Sequence, residues 1–210
     1  REHAYMKRAV QEFEKNPNIY ILGSLSCSRL IFLPFLIRSK GKYLHHNLFV
    51  ALINDLFGIQ SRAGCSCAGP YGHRLLDIDK DTSERYRNVV QEGYCGMKPG
   101  WCRVGLHWVM DDAEANYVID AVHFIAKHGQ NFLQLYDFDL CTGTWSHRQV
   151  TIELPKFSLD EALTKVEGEP AVLSLPLRKQ LYDHYMTEAN RWVKRLSEEP
   201  IGNLESLEGE

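Results

Sequence analysis

Apolar and polar residues along this chain follow two periods, and the changes from one to the other mark out its elements. Tyr5, Ala9, Val10 and Phe13 fall on one side of a helix over Glu2 to Lys15, and Asn16-Pro17-Asn18 stops it. Ile19 to Leu22 and Leu30 to Arg38 read as strands, separated by a Gly/Ser/Cys-containing loop. Ser39-Lys40-Gly41-Lys42 is a turn. Leu44 to Phe57 then carries Leu48, Leu52 and Leu56 at i, i+4 and i+8, which is a buried helical stripe, with Gly58 as its stop. Ile59 to Ala63 is a short strand, Asp79 to Gly93 a polar helix, and Trp101 to Trp108 a strand. Asp111-Asp112 opens a helix that runs to His128 and closes at Gly129. Two acidic residues there suit the positive helix end, so capping explains them better than a catalytic carboxylate pair.

Beyond Gln130 the pattern weakens. Tyr136 to Phe138 and Trp145 to Arg148 form a hairpin around Thr142-Gly143, Ser158 to Lys165 a short capped helix, and Leu175 to Leu196 a longer one. Pro200 to Glu210 is an acidic, frayed tail. This order predicts an α/β (α+β) fold in which a mixed sheet packs with helices. The chain divides into a first unit over 1–148 and a mostly helical extension over 149–210. Leu48, Leu52, Leu56, Val118, Val122 and Ile125 are the expected core.

Composition narrows the function. A net charge of -3 argues against a broad nucleic-acid surface, which needs a basic excess. No apolar run reaches the ~18 residues of a membrane span. The first methionine is Met6, which suggests a piece of a longer protein, and no signal-peptide core precedes it. A cytoplasmic location and free thiols are the expectation for the six cysteines. Without paired C-x-x-C motifs, no zinc site is expected. His45 and His46 are neighbours on a helix and diverge by ~100°, so capping or packing fits them, and His73, better than shared metal ligation.

The segment Arg62-Ala63-Gly64-Cys65-Ser66-Cys67-Ala68-Gly69-Pro70 carries the candidate chemistry. A cysteine in a glycine-rich loop is accessible, and a nearby arginine favours its thiolate, the nucleophilic form. Downstream, Cys102-Arg103-Val104-Gly105-Leu106 places an arginine on a strand that leads to the Asp111 helix. A planar guanidinium makes two hydrogen bonds to one carboxylate, so Arg103 is a candidate substrate clamp.

The first of these motifs resembles the active-cysteine loop of group II cysteine desulfurases and selenocysteine lyases. With Leu44-His45-His46-Asn47, Asn54 to Gln60 and Pro70-Tyr71-Gly72-His73, the text over Arg1 to Arg148 resembles the class V aminotransferase group. The resemblance implies the C-terminal small domain of a fold-type I pyridoxal-phosphate transferase. Cys67 matches the nucleophilic cysteine, Arg62 the arginine that opens the loop, and Arg103 the arginine that holds the substrate α-carboxylate. Where the family has two histidines before the cysteine, this chain has Cys65 and Ser66, a departure that bears on desulfurase activity specifically.

A pyridoxal-phosphate enzyme also needs a lysine for the internal Schiff base. In the family it follows a histidine, and no lysine here does. The resemblance therefore implies that an N-terminal large domain holds pyridoxal 5'-phosphate, that the intact enzyme is a homodimer acting on an amino acid, and that this chain alone is inactive. The rival expectation is a non-catalytic dimerisation or regulatory module derived from such an enzyme. If Arg62, Cys67 and Arg103 share one site, the loop and the Trp101 strand must converge across some 40 residues of chain.

Overall fold

The computed structural model describes residues 1–26, 29–65, 69–150, 158–159 and 173–198. Its first helix, α1 (Glu2–Glu14), buries Tyr5, Ala9 and Phe13 of the expected stripe, with Met6 buried as well and Val10 only half-buried at its edge. The chain then enters β1 (Ile19–Ile21) and β2 (Phe32–Ser39), which pair antiparallel. A two-residue turn at Lys40-Gly41, both with positive φ (50° and 77°), folds β3 (Lys42–Tyr43) back on β2. Such a turn matches strand twist and favours glycine at its second position.

Helix α2 (His46–Phe57) buries Leu48, Phe49, Leu52, Ile53 and Phe57. Leu56 is half-buried rather than buried, because it lies at the edge of this stripe. Gly58 ends the helix in the left-handed region (φ 65°). Its N–H bonds Asn54, and the Ile59 N–H reaches back to the Ile53 carbonyl, so the last carbonyls are satisfied. Strand β4 (Arg62–Gly64) follows; Ile59 itself is outside it. Next come α3 (Gly69–Leu75), α4 (Lys80–Gln91) and a 3₁₀ turn at Cys95–Met97. Strand β5 (Trp101–Gly105) is shorter than the alternation suggested, and Leu106 beyond it is buried.

The sheet runs β1-β2-β5-β4, with β3 on β2, and every pairing is antiparallel. Helix α5 (Asp112–His128) starts on Asp111, whose carboxylate accepts from the Glu114 N–H at 2.9 Å. Asp111 is thus a cap, not half of a catalytic pair. Gly129 does not end α5 in the left-handed region; it stays helical and passes into a 3₁₀ turn over Gly129–Leu135. A β-carbon there would meet the Ile125 and Leu44 side chains at 3.0 and 3.1 Å, so the glycine lets them pack close to the backbone. Strands β6 (Tyr136–Asp139) and β7 (Thr144–His147) form the expected hairpin. Helix α6 (Leu175–Glu198) lies on α2 and α5, and its Ala189 and Leu196 belong to the core that the sheet and the other helices share. The short helix read over Ser158 to Lys165 and the tail from Pro200 fall outside the described residues, apart from Ser158 and Leu159.

Helices α1, α2 and α5 cover one face of the sheet. Leu33, Phe35, Ile37, Cys102 and Val104 point into that side, where Phe35 meets Phe13 and Phe49 edge-on at 5.5 and 5.2 Å. Alternation sends Phe32, Pro34, Leu36, Trp101 and Arg103 to the opposite side. No helix among the described residues is long and apolar enough to cross a membrane.

Candidate functional site

The site begins with a strand register. In the β4–β5 ladder Arg62 stands opposite Arg103, Ala63 opposite Cys102, and Gly64 opposite Trp101. Residues directly opposite in an antiparallel pair project to the same face, and like charges there repel. Ala63 and Cys102 take the helical side, so both arginines take the other. Arg62 is exposed and Arg103 half-buried. Among the described residues neither has a carboxylate partner within 4 Å, and the buried Arg103 Nε has no hydrogen-bond partner. On the neighbouring strand Arg103 faces Pro34, which offers no charge.

Trp101 lies two residues from Arg103 on the same face and is covered by α3. A β-carbon on Gly72 would stand 3.4 Å from its ring, so helix and indole are packed to van der Waals contact. Between them is a cavity of about 330 Å³ lined by Cys65, His73, Leu76, Tyr86, Val90 and Trp101, among others. His73 bridges this region: Nδ1 meets the Gly69 carbonyl at 2.8 Å and Nε2 meets Ser83 Oγ at 3.1 Å. His73 is a link between α3 and α4.

The cysteine loop leaves the sheet at Gly64, whose φ of 106° a side chain would strain. Cys65 is exposed. Cys67, the residue matched to the family nucleophile, lies outside the described residues. The glycine-rich segment, expected as a loop around the cysteines, is helical from Gly69. Pro70 fits a first helical turn, where its missing N–H costs nothing. Cys102 is in the core at 1% exposure, and burial pushes its thiol far above the ordinary range, which makes it inert.

The start of α2 lies beneath this corner. A β-carbon on Gly100 would come within 2.7 Å of the Gly64 backbone and 2.8 Å of His46 Cε1. His45 caps α2: Nδ1 accepts from the Asn47 N–H at 3.2 Å and the Trp145 indole N–H at 3.1 Å, while Nε2 donates to the Gly96 carbonyl at 3.0 Å. His46 stacks on it with ring centroids 4.4 Å apart. Burial and the neighbouring His45 push His46 down to about 4, and burial lowers His45 as well. No cluster of three or more metal-ligating side chains occurs among the described residues.

Sequence reasoning missed an open cleft of about 1220 Å³ beside Arg62. Asn47, Asn54 and Asp55 of α2 line it, with Trp145 and His147 of the hairpin and Trp192 of α6. Ser61 Oγ, also in its wall, is buried without a hydrogen-bond partner among the described residues. Asp55 accepts from the Tyr136 hydroxyl at 2.7 Å, which fixes the hairpin over the helix. The available signal was the polar run Asn54-Asp55 at seven and eight residues from Asn47, a second stripe beside the leucine stripe.

Anchoring pyridoxal phosphate requires a lysine amine that is held uncharged, and burial is how a protein does this. Every described lysine is exposed. The described residues therefore do not fit a Schiff-base anchor. Comparisons with protein-family models and with curated proteins find no match for the chain.

Proposed function

We propose that this chain supplies the carboxylate-binding part of an amino-acid-processing site of the class V aminotransferase and group II cysteine desulfurase kind. The observation that carries the reading is the cross-strand pair Arg62 and Arg103, two arginines directly opposite each other in the ladder without an acidic partner among the described residues. A carboxylate between them removes the repulsion and gains charge-assisted hydrogen bonds. A guanidinium keeps its charge at all working pH values, so recognition does not depend on protonation. In this reading Arg103, the less exposed of the two, fixes the α-carboxylate. Arg62 at the edge strand adds charge beside the loop that bears Cys67. Cys67 is the proposed nucleophile toward the substrate's sulfur or selenium. Pyridoxal phosphate, when bound, supplies the electron sink for such chemistry, and its lysine comes from outside the described residues.

The exposed lysines favour one further reading, in which the chain by itself binds an amino acid or a partner domain and converts nothing. The two separate in solution. Backbone amide shifts of the full chain titrated with L-cysteine or L-alanine should move in β4 and β5, and Arg103→Ala should abolish the movement. Shifts no larger than those produced by sodium chloride of equal ionic strength sink the carboxylate site. Alanine release from cysteine, with the cofactor-bearing domain present, separates conversion from binding; its absence with both cysteine and selenocysteine leaves only the binding reading.

A further inference from the structure

We propose that Cys95 and Cys141 form a thiol modification site that closes to an intramolecular disulfide by exchange with a small disulfide of the glutathione class. The two residues are 46 positions apart in sequence, yet their backbones are bonded. The Cys95 N–H donates to the Cys141 carbonyl at 3.2 Å, and the next pair, Gly96 N–H to the Leu140 carbonyl, is at 2.8 Å. Covalent bond lengths on either side of such a bond put the two α-carbons roughly 5–6 Å apart. A disulfide spans about 4.4–6.8 Å between α-carbons.

Three further observations make the contact permanent rather than incidental. A β-carbon on Gly96 would stand 2.7 Å from the Phe138 ring and 2.8 Å from the Leu140 carbonyl, so the two turns are packed backbone against backbone. The Gly96 carbonyl accepts from His45, which ties this turn to the start of α2. On the other side, the Asp139 carboxylate accepts from the Cys141 and Thr142 N–H groups at 2.8 and 3.2 Å and fixes the turn that bears Cys141. Both thiols are free; Cys141 is exposed and Cys95 partly so, whereas Cys102 is enclosed. A soluble oxidant reaches the first two and not the third.

The step balances without another reactant. One thiolate attacks the disulfide of oxidised glutathione, forming a protein–glutathione bond and releasing glutathione thiolate. The second protein thiolate then attacks the protein-side sulfur and expels the remaining glutathione. Two protein thiols lose two protons and two electrons, and one glutathione disulfide becomes two thiols. The product fastens the β6–β7 hairpin, and with it the Trp145 wall of the cleft, to the turn that leads into β5.

The test is to incubate the full 210-residue chain with oxidised glutathione and map the products by mass spectrometry of unreduced peptides. The expected product joins the Cys95 and Cys141 peptides, lacks two hydrogens, and carries no glutathione. Cys141→Ser should instead leave a stable glutathione adduct on Cys95. Closure should also raise Tm by on the order of 10 °C, reversibly with dithiothreitol. Persistent glutathione on both cysteines of the unsubstituted chain, pairing of either one with a different cysteine, or no reaction at all overturns the proposal.

Discussion

The two faces of the five-stranded sheet are built on opposite terms. On the helical face, Leu33, Phe35, Ile37, Cys102 and Val104 are at most 4% exposed and interlock with α1, α2 and α5. On the other face only Trp101 is covered, by α3; Phe32 stays 47% exposed, Tyr20 44% exposed, and two arginines stand opposed across a ladder without an acid among the described residues to balance them. The first face satisfies every requirement of a core, and nothing is left over for chemistry. The second leaves charge and apolar surface unanswered within the described residues, which is how a recognition surface differs from a packed one.

The largest test of this contrast is Phe49→Ala. Phe49 is fully buried and edge-on to Phe35, so its loss should cost about 3–5 kcal/mol in denaturant unfolding. A loss below about 1 kcal/mol breaks the picture of a close-packed helical face.

Next in size is the acid sensitivity of His46. Its folded pKa of about 4 is below the ordinary value of 6.5, so the unfolded chain binds the proton more tightly. Stability should therefore rise with pH between about 4 and 6.5 and fall as pH drops through that window. The contribution is on the order of 3 kcal/mol. His46→Gln should flatten that slope whatever it does to stability at neutral pH. An unchanged slope in unfolding measured across the window counts against a desolvated His46.

Asp111→Ala removes the cap of α5 and the ion pair to Arg178, and should lower stability by about 1 kcal/mol. Asp111→Asn, which keeps an acceptor for the Glu114 N–H, should recover most of that loss. Equal losses for both substitutions assign the effect to the ion pair instead.

The smallest effect has the opposite sign. Arg62→Ala or Arg103→Ala removes one of two facing cations and should leave stability unchanged or raise it by about 0.2–1 kcal/mol, more so at low salt. Both should at the same time lose the amino-acid-dependent amide shifts. Destabilisation of either variant by more than about 1 kcal/mol makes the pair structural and erases the contrast between the faces.

Much of the helical face was legible in the sequence, because period and burial are the same information. Leu48 and Leu52, or Val118, Val122 and Ile125, declare their side by spacing alone, and Asp111 declares a cap by its residue type. Leu56 was misplaced because each i+4 step turns a further ~40° round the helix, so an i+8 position lies ~80° away, at the edge of the stripe. The open face was harder. Nothing local in Arg62 or Arg103 says that they stand opposite each other; that register depends on the Gly58 reversal and on the close approach of Gly64 and Gly100 over His46. The helical start at Gly69 was hidden by loop-like composition, since glycine and proline open helices as readily as they end strands. The cleft beside Arg62 needs three separate elements, α2, the hairpin and α6, and no single window of sequence contains them.

His45 has one consequence of a different kind. Its Nε2 faces a carbonyl and its Nδ1 faces two N–H groups, so only one tautomer satisfies all three partners. A ring locked in one tautomer has two nitrogens with widely separated ¹⁵N resonances, whereas a ring exchanging between tautomers shows an average. His45 is therefore a built-in spectroscopic gauge of whether the β6–β7 hairpin is docked. Its indole donor, Trp145, belongs to the hairpin, and its carbonyl acceptor belongs to the turn before β5. Detachment of either should pull the two resonances toward each other before any helix unfolds.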